Sequence, residues 1–360
     1  MTGFSCKTKI YTGDGSLSRL KELGIRRLFL VTDPYFLENG VADKLLQLSG
    51  AEKTEIFHKV SPDPSVELAA EGTARLREFE PDTVVALGGG STLDCAKAMV
   101  YFSQRRIPLV AIPTTSGSGS EVTDFAVLTC KGTKHPLVDP GICPEVAILD
   151  SSLLLKLPRG LIADTGFDVL SHALEAYVAT EATAFTDALA ACAFGTALSL
   201  LPQSYSGQTQ VRGRLHEAST MAGLAFNQAG LGLCHAMAHA LGGAFHLPHG
   251  RLNAMLLPWV IDCNALQASE KYARLARSAG LSGMADTVAV RNLKNALVRL
   301  RKDLGMPGTL KEAGVDPRQV WQQTGQLVRA VLEDPCCKTN PMPVEDYTVK
   351  KLLNQVTGSV

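Results

Sequence analysis

The first half of the chain alternates short, almost purely apolar runs with amphipathic stretches. RRLFLVTD (26–33), TVVALGGG (83–90), PLVAIPTT (108–115) and EVAILD (145–150) have the length and β-branched content of buried strands. Most of them end at Gly, Asp or Thr. Between the first two, Pro64 to Glu78 carries apolar residues at helical spacing. Runs that are apolar on both faces, separated by amphipathic helices, predict a parallel sheet covered on both sides. After Asp150 strand-like runs nearly vanish. Ala- and Leu-rich periodic segments follow at about 168–180, 184–202, 211–226, 250–262, 267–279, 289–304, 316–332 and 344–357. The pattern predicts an α/β, Rossmann-like domain over 1–152 and an all-helical domain over 153–360.

Parallel sheets bind ligands at the carboxyl ends of their strands, which makes the loops there the candidate binding elements. LGGGSTLDCAKAM (87–99) follows a strand and opens a helix. Gly89 and Gly90 let the backbone approach an anion, and Ser91 falls where an N-cap belongs. The stretch is neither GxGxxG nor a Walker loop, and an ordinary strand–turn–helix connection would look similar. The next strand ends in IPTTSGSGSEVTDF (112–125), a dense hydroxyl-and-glycine loop whose groups could wrap a pyrophosphate or ribose. Two such loops point to a dinucleotide. Asp33, which closes LFLVTD, can accept from a ribose and repel a 2′-phosphate. Equally, an aspartate before Pro34 suits a plain turn.

The helical half carries the metal chemistry. CHAMAHALGGAFHLPHG (234–250) holds four of the chain's eight histidines: His235, His239, His246 and His249. His235 and His239 are four apart, as are Asp168 and His172 in TGFDVLSHALEAY, so each pair projects from one helix face. Asp168, His172, His235 and His249 make a three-imidazole, one-carboxylate set suited to Fe(II), Zn(II), Co(II), Ni(II) or Mn(II). His246 has no obvious partner. Ala236 follows His235, so the HExxH hydrolase motif is absent. A cation polarises a carbonyl and a nicotinamide supplies hydride, so the two halves together read as a metal-dependent dehydrogenase.

Composition narrows the setting. Lys plus Arg equals Asp plus Glu at 35 each, so no overall field favours nucleic acid or an acidic membrane. No run of about 18 consecutive apolar residues predicts a spanning helix. MTGFSCKTKIYTGDGSL lacks the apolar core of a secretory leader. Nine cysteines without a CxxC motif read as reduced thiols, hence a cytoplasmic protein.

GGGSTLDCAKA, PTTSGSGSEVT, TGFDVLSHALEAY and GLGLCHAMAHALGGAFHLPHG together resemble the iron-containing (group III) alcohol dehydrogenase family. The likeness spans essentially the whole chain and is strongest to the propanol dehydrogenase type. It implies NAD(H) and Fe(II), with Zn(II) or another divalent ion as substitutes. Carried over by motif, the metal ligands are Asp168, His172, His235 and His249. His239 lies near the nicotinamide and assists proton transfer. Gly89, Gly90 and Ser91 match the pyrophosphate turn, Thr114, Thr115 and Thr123 the second loop, and Lys134 a lysine near the ribose. Asp33 matches the aspartate associated with NAD. Phe125 is a candidate pocket wall beside the cofactor. Asp63, in SPDPS, stands where relatives often carry asparagine, which puts that cofactor contact in question.

The expected reaction is reversible interconversion of a short aldehyde and its primary alcohol, with glycerol-type polyol oxidation or an NAD-using lyase of the dehydroquinate synthase type as alternatives. A metal-stabilised scaffold would leave the glycine loops unexplained. A homodimer or larger homo-oligomer is expected, and the propanol type implies packaging in a bacterial microcompartment.

Overall fold

Runs apolar on both faces become the centre of a sheet, and the polar-edged runs that escaped the hydropathy pattern become its margins. The computed structural model describes residues 3–130 and 133–358. Its strands are β1 (Lys9–Thr12), β2 (Arg27–Thr32), β3 (Lys53–Phe57), β4 (Thr83–Gly88), β5 (Leu109–Pro113), β6 (Phe125–Cys130), β7 (Thr133–Val138) and β8 (Val146–Leu149). Six of them pair in the order β1-β8-β5-β4-β2-β3, every pair parallel. β6 and β7 form a separate antiparallel hairpin. The edge strands KIYT and KTEIF mix polar and apolar residues, which hid them from a search for buried runs.

Alternation along each central strand builds two cores. Phe29, Val31, Val84 and Ala86 face one layer, with α3 (Val66–Phe79) and α4 (Gly90–Ser103) over them. Leu28, Leu30, Val85, Leu87, Val110 and Ile112 face the other, where Ala42 and Leu45 of α2 (Val41–Ser49) pack; the single turn of α1 (Pro34–Glu38) precedes it. Each buried Val, Leu, Ile or Phe among them contributes roughly 1.5–3 kcal/mol. The chain leaves β2 outward to β3 and then returns past β2 to β4. That reversal makes the carboxyl ends of β2 and β4 the topological switch point, the place where open α/β sheets bind ligands. Asp33 and Gly89 are the residues immediately beyond those two strands.

The remaining helices are α5 (Arg159–Val178), α6 (Ala184–Tyr205), α7 (Arg212–Ala229), α8 (Leu233–Phe245), α9 (His249–Ser278), α10 (Asp286–Asp303), α11 (Pro317–Glu333) and α12 (Asp346–Thr357). Two expected helices, 250–262 and 267–279, are one continuous α9 that runs through Pro258. The chain divides at Leu157/Pro158 rather than at 152/153, and Arg212–Gly223 of α7 groups with the α/β unit instead of the helical one. Two side-chain contacts within that unit show why. Thr220 donates to buried Glu121 at 2.5 Å, and His216 Nδ1 lies 3.0 Å from Ser116 Oγ. α6 is long and apolar enough by length and mean hydropathy, 1.6, to cross a membrane. A helix packed along α5 in a helical core has the same composition, and α6 does pack there.

Candidate active site

Four-residue spacing places Asp168 and His172 on one face of α5, where both are buried. His235 lies in the first turn of α8, and His249 is the first residue of α9, after Pro248. Donor atoms of Asp168, His172 and His235 all lie within 4.8 Å of one another. His249 Nε2 is 3.6 Å from Asp168 Oδ1, and its ring centre is 5.3 Å from that of His235. His172 stacks on His235 at 4.5 Å and on Phe226 at 4.4 Å. All four expected ligands are therefore brought together. His246 is not among them; it closes α8 with φ +54°.

The donor chemistry fits a borderline divalent cation. His235 Nδ1 lies 2.6 Å from Glu175 Oε2, both side chains 1% exposed. Glu175 also accepts the amides of Cys234 (2.7 Å), Gly232 (3.0 Å) and His235 (3.3 Å). A carboxylate surrounded by N–H donors acts as an acceptor, so Nδ1 carries the hydrogen and Nε2 keeps its lone pair. Burial holds the His235 imidazole well below its usual pKa, hence neutral and able to ligate. Burial pushes the Glu175 carboxyl up, while the three amides oppose it. Asn253, fully buried on α9, donates from Nδ2 to Asp168 Oδ1 at 3.0 Å and orients that carboxylate. Neither Glu175 nor Asn253 was visible in the sequence as a site residue.

Gly250 explains how α9 brings His249 so near. A Cβ at this position would lie 1.8 Å from the carbonyl oxygen of Asp164 on α5. Only glycine allows that backbone approach. Arg251 then clamps Asp164 through two hydrogen bonds, 3.1 and 2.9 Å.

His239, one turn beyond His235, stacks on His249 with ring centres 5.2 Å apart. Its Nδ1 lies 2.8 Å from Asp334 Oδ2. His239, Asp334 and Cys336 also bring ligand atoms within 4.8 Å of one another. Both Asp334 oxygens are already engaged, however, because Oδ1 accepts the Cys336 amide at 2.8 Å.

In the α/β unit the strand-end loops meet through backbone. Thr114 donates its amide to Gly88 at 3.0 Å. A Cβ at Gly90 would sit 3.0 Å from Ser118 Cβ, and one at Gly89 would lie 3.3 Å from Thr115 Oγ1. Ser91 is not the N-cap: α4 begins at Gly90, its N-cap is Gly89, and no side chain caps it. The helix therefore presents uncapped amides, which suits a phosphate. Asp33 caps α1, accepting the Tyr35 amide at 3.0 Å.

Two expected cofactor side chains are otherwise engaged, and a third residue is engaged through its backbone alone. Thr123 is buried and accepts from Lys97 Nζ at 2.9 Å. Phe125 opens β6, and its carbonyl accepts from the same Nζ at 2.8 Å. Lys134 pairs with Asp63 at 2.8 Å, a residue held at φ +55°. Lys97 is the residue the sequence reading missed. It is fully buried on α4, also donates to Ser120 (2.8 Å), and burial lowers its pKa to about 8. One turn earlier, Asp94 accepts from Ser120 Oγ (2.7 Å) and the Val127 amide (3.0 Å). The spacing D-x-x-K inside LDCAKAM was the available signal.

Comparison with known proteins shows the family. The description "Iron-containing alcohol dehydrogenase" matches residues 7–151, and "Fe-containing alcohol dehydrogenase family, C-terminal" matches 162–357. A 1-propanol dehydrogenase PduQ of Citrobacter freundii is 41% identical over 99% of this chain and 100% of its own length. An NADPH-dependent butanol dehydrogenase of Clostridium saccharobutylicum is 38% identical over 99% and 98%. A solved sulfoacetaldehyde reductase from Bifidobacterium kashiwanohense, in complex with NAD+, aligns with TM-score 0.90 at 27% identity, covering 100% of both chains.

Proposed function

We propose that this chain, which belongs to the iron-containing alcohol dehydrogenase family, interconverts short-chain aldehydes and primary alcohols with NAD(H) and a divalent cation, Fe(II) first. Propionaldehyde and 1-propanol are the proposed pair, supported by the likeness to the Citrobacter freundii 1-propanol dehydrogenase. The observation that carries the reading is that Asp168, His172 and His235 bring donor atoms within 4.8 Å of one another, with His249 Nε2 3.6 Å from Asp168 Oδ1.

When bound, the cation polarises a carbonyl and the nicotinamide carries the hydride. The chain supplies the rest. Glu175 fixes the His235 ring so that Nε2 is the ligating atom, and Asn253 holds the Asp168 carboxylate. Gly89 and Gly90 open α4 to a pyrophosphate, and the Thr114–Gly88 bond keeps the second loop beside the first. His239 gives a proton to the product oxygen in reduction and takes it back in oxidation. Asp33, just past β2 at the switch point, supports NAD(H), because a 2′-phosphate there would meet a carboxylate. The butanol dehydrogenase relative is named as NADPH-dependent, so both cofactors belong in the assay.

The test follows NADH and NADPH consumption with propionaldehyde before and after verified metal removal. Lewis-acid polarisation supplies several kcal/mol, so removal lowers the rate by at least about 10²-fold, and Fe(II) restores it. Unchanged turnover by metal-free protein sinks the reading.

A further inference from the structure

His235 and His239 share one helix face, and each carries a carboxylate on Nδ1. Behind His235 stands Glu175, sealed from solvent; behind His239 stands Asp334, with side chains 17% and 12% exposed for the imidazole and the carboxylate. The Asp334 carboxylate cannot swing. Its residue ends α11 and caps the short turn Pro335–Thr339, its amide donates to Val331 O at 3.2 Å, and its carbonyl accepts from Cys337 at 3.1 Å. Oδ1 is held by the Cys336 amide, which leaves Oδ2 aimed at His239 Nδ1, 2.8 Å away. The ring itself lies nearly parallel to His249, at 17°.

A carboxylate accepts and does not donate, so the hydrogen of a neutral His239 must sit on Nδ1. Nε2 is then the atom left to exchange a proton. Resting on the role proposed for His239, we propose that Asp334 is the positioning residue that selects this tautomer and fixes the ring for proton exchange at Nε2. Asp334 need not touch substrate or cofactor; it acts through the imidazole.

Asp334→Asn separates this role from the cap. Asparagine is an equally good N-cap, so its oxygen stays on the Cys336 amide and its NH2 turns toward Nδ1. A donor facing Nδ1 forces the hydrogen to Nε2. In zinc-loaded protein, nitrogen NMR should show His239 protonated on Nδ1 in the parent and on Nε2 in the variant, the resonance being assigned by its loss in His239→Ala. For propionaldehyde reduction, kcat should fall by about 10²-fold or more, the range of general acid–base catalysis. KM for the aldehyde should stay within about threefold, since only proton transfer is lost. The double variant should be no slower than His239→Ala alone.

If His239→Ala is impaired while Asp334→Asn keeps parental kcat or the parental tautomer, the assignment of Asp334 is overturned and the role of His239 stands. Losses that add in the double variant overturn it too, because they place Asp334 outside the His239 path. If His239→Ala turns over like the parent, the role of His239 itself fails, and with it this inference.

Discussion

The donor cluster of the helical unit and the strand-end loops of the α/β unit are built in opposite ways. In the cluster, side chains present the chemistry and carboxylates stand behind them: Glu175 behind His235, Asp334 behind His239. In the loops, backbone presents the chemistry and a buried ammonium stands behind it, Lys97 binding Ser120, Thr123 and the Phe125 carbonyl. Acidic groups behind the imidazoles favour a cation there, and a basic group behind the loops favours an anion. The difference teaches where each site is vulnerable. A side-chain site fails when a ligand atom moves. A backbone site fails when the packing beneath it relaxes.

Gly250 gives the largest test, because there the side-chain site itself depends on backbone. In Gly250→Ala the new methyl would overlap the Asp164 carbonyl, so α5 and α9 must separate. Overpacking against fixed backbone costs about 3 kcal/mol or more. It also draws His249 away from Asp168 and breaks the Arg251–Asp164 clamp. The expected result is a lower Tm together with loss of bound metal, read by thermal melting and elemental analysis. A variant with full metal content and an unchanged Tm would show that the donor cluster does not depend on the close approach of Gly250 to Asp164.

Much of the cluster was legible because its geometry is local. Four-residue spacing alone puts Asp168 beside His172 and His235 beside His239. The groups behind the ligands were not, since Glu175 lies 60 residues from His235 and Asp334 lies 95 from His239. Hydropathy located the central strands but not β1 or β3, whose polar residues break the apolar run, nor the hairpin. It also divided α9 at 263–266, where the helix in fact runs on without a break. In the loops the glycines marked the right place. The side chains expected to touch the cofactor proved partly committed elsewhere: Thr123 to Lys97, Lys134 to Asp63. A hydroxyl in a loop does not reveal which way it turns.

Lys97→Met sharpens the backbone half of the comparison. It strands two hydroxyls and a carbonyl and removes the cation nearest buried Asp94, a loss of about 2–4 kcal/mol. The metal should remain bound, while KM for NADH rises more than kcat falls. The pH dependence carries a sign. Burial sets the folded pKa at about 8, below the ordinary lysine value, so the folded state binds fewer protons between there and 10.5. The burial penalty is complete below pH 8 and is relieved as pH rises toward 10.5. The gap in stability between parent and variant should therefore widen from pH 8 to 10, measured by denaturant unfolding. A gap that narrows contradicts the assignment.

His216 supplies the smallest effect at neutral pH and the cleanest titration. It is buried on the part of α7 that groups with the α/β unit, with Nδ1 against Ser116 of the second loop. Burial lowers its pKa to about 4. The unfolded chain takes up a proton near 6.5 that the folded chain refuses, so this residue's contribution to stability is complete above 6.5 and is lost as pH falls toward 4. That span corresponds to about 3 kcal/mol at its limit. His216→Gln keeps a polar contact for Ser116 but cannot titrate, and costs about 1 kcal/mol at pH 7. The unfolding free energies of parent and variant should then converge as pH drops below 6.5 and cross before pH 4. Parallel curves would mean that the folded protein protonates His216 as readily as the unfolded chain does, so that burial does not hold this ring neutral.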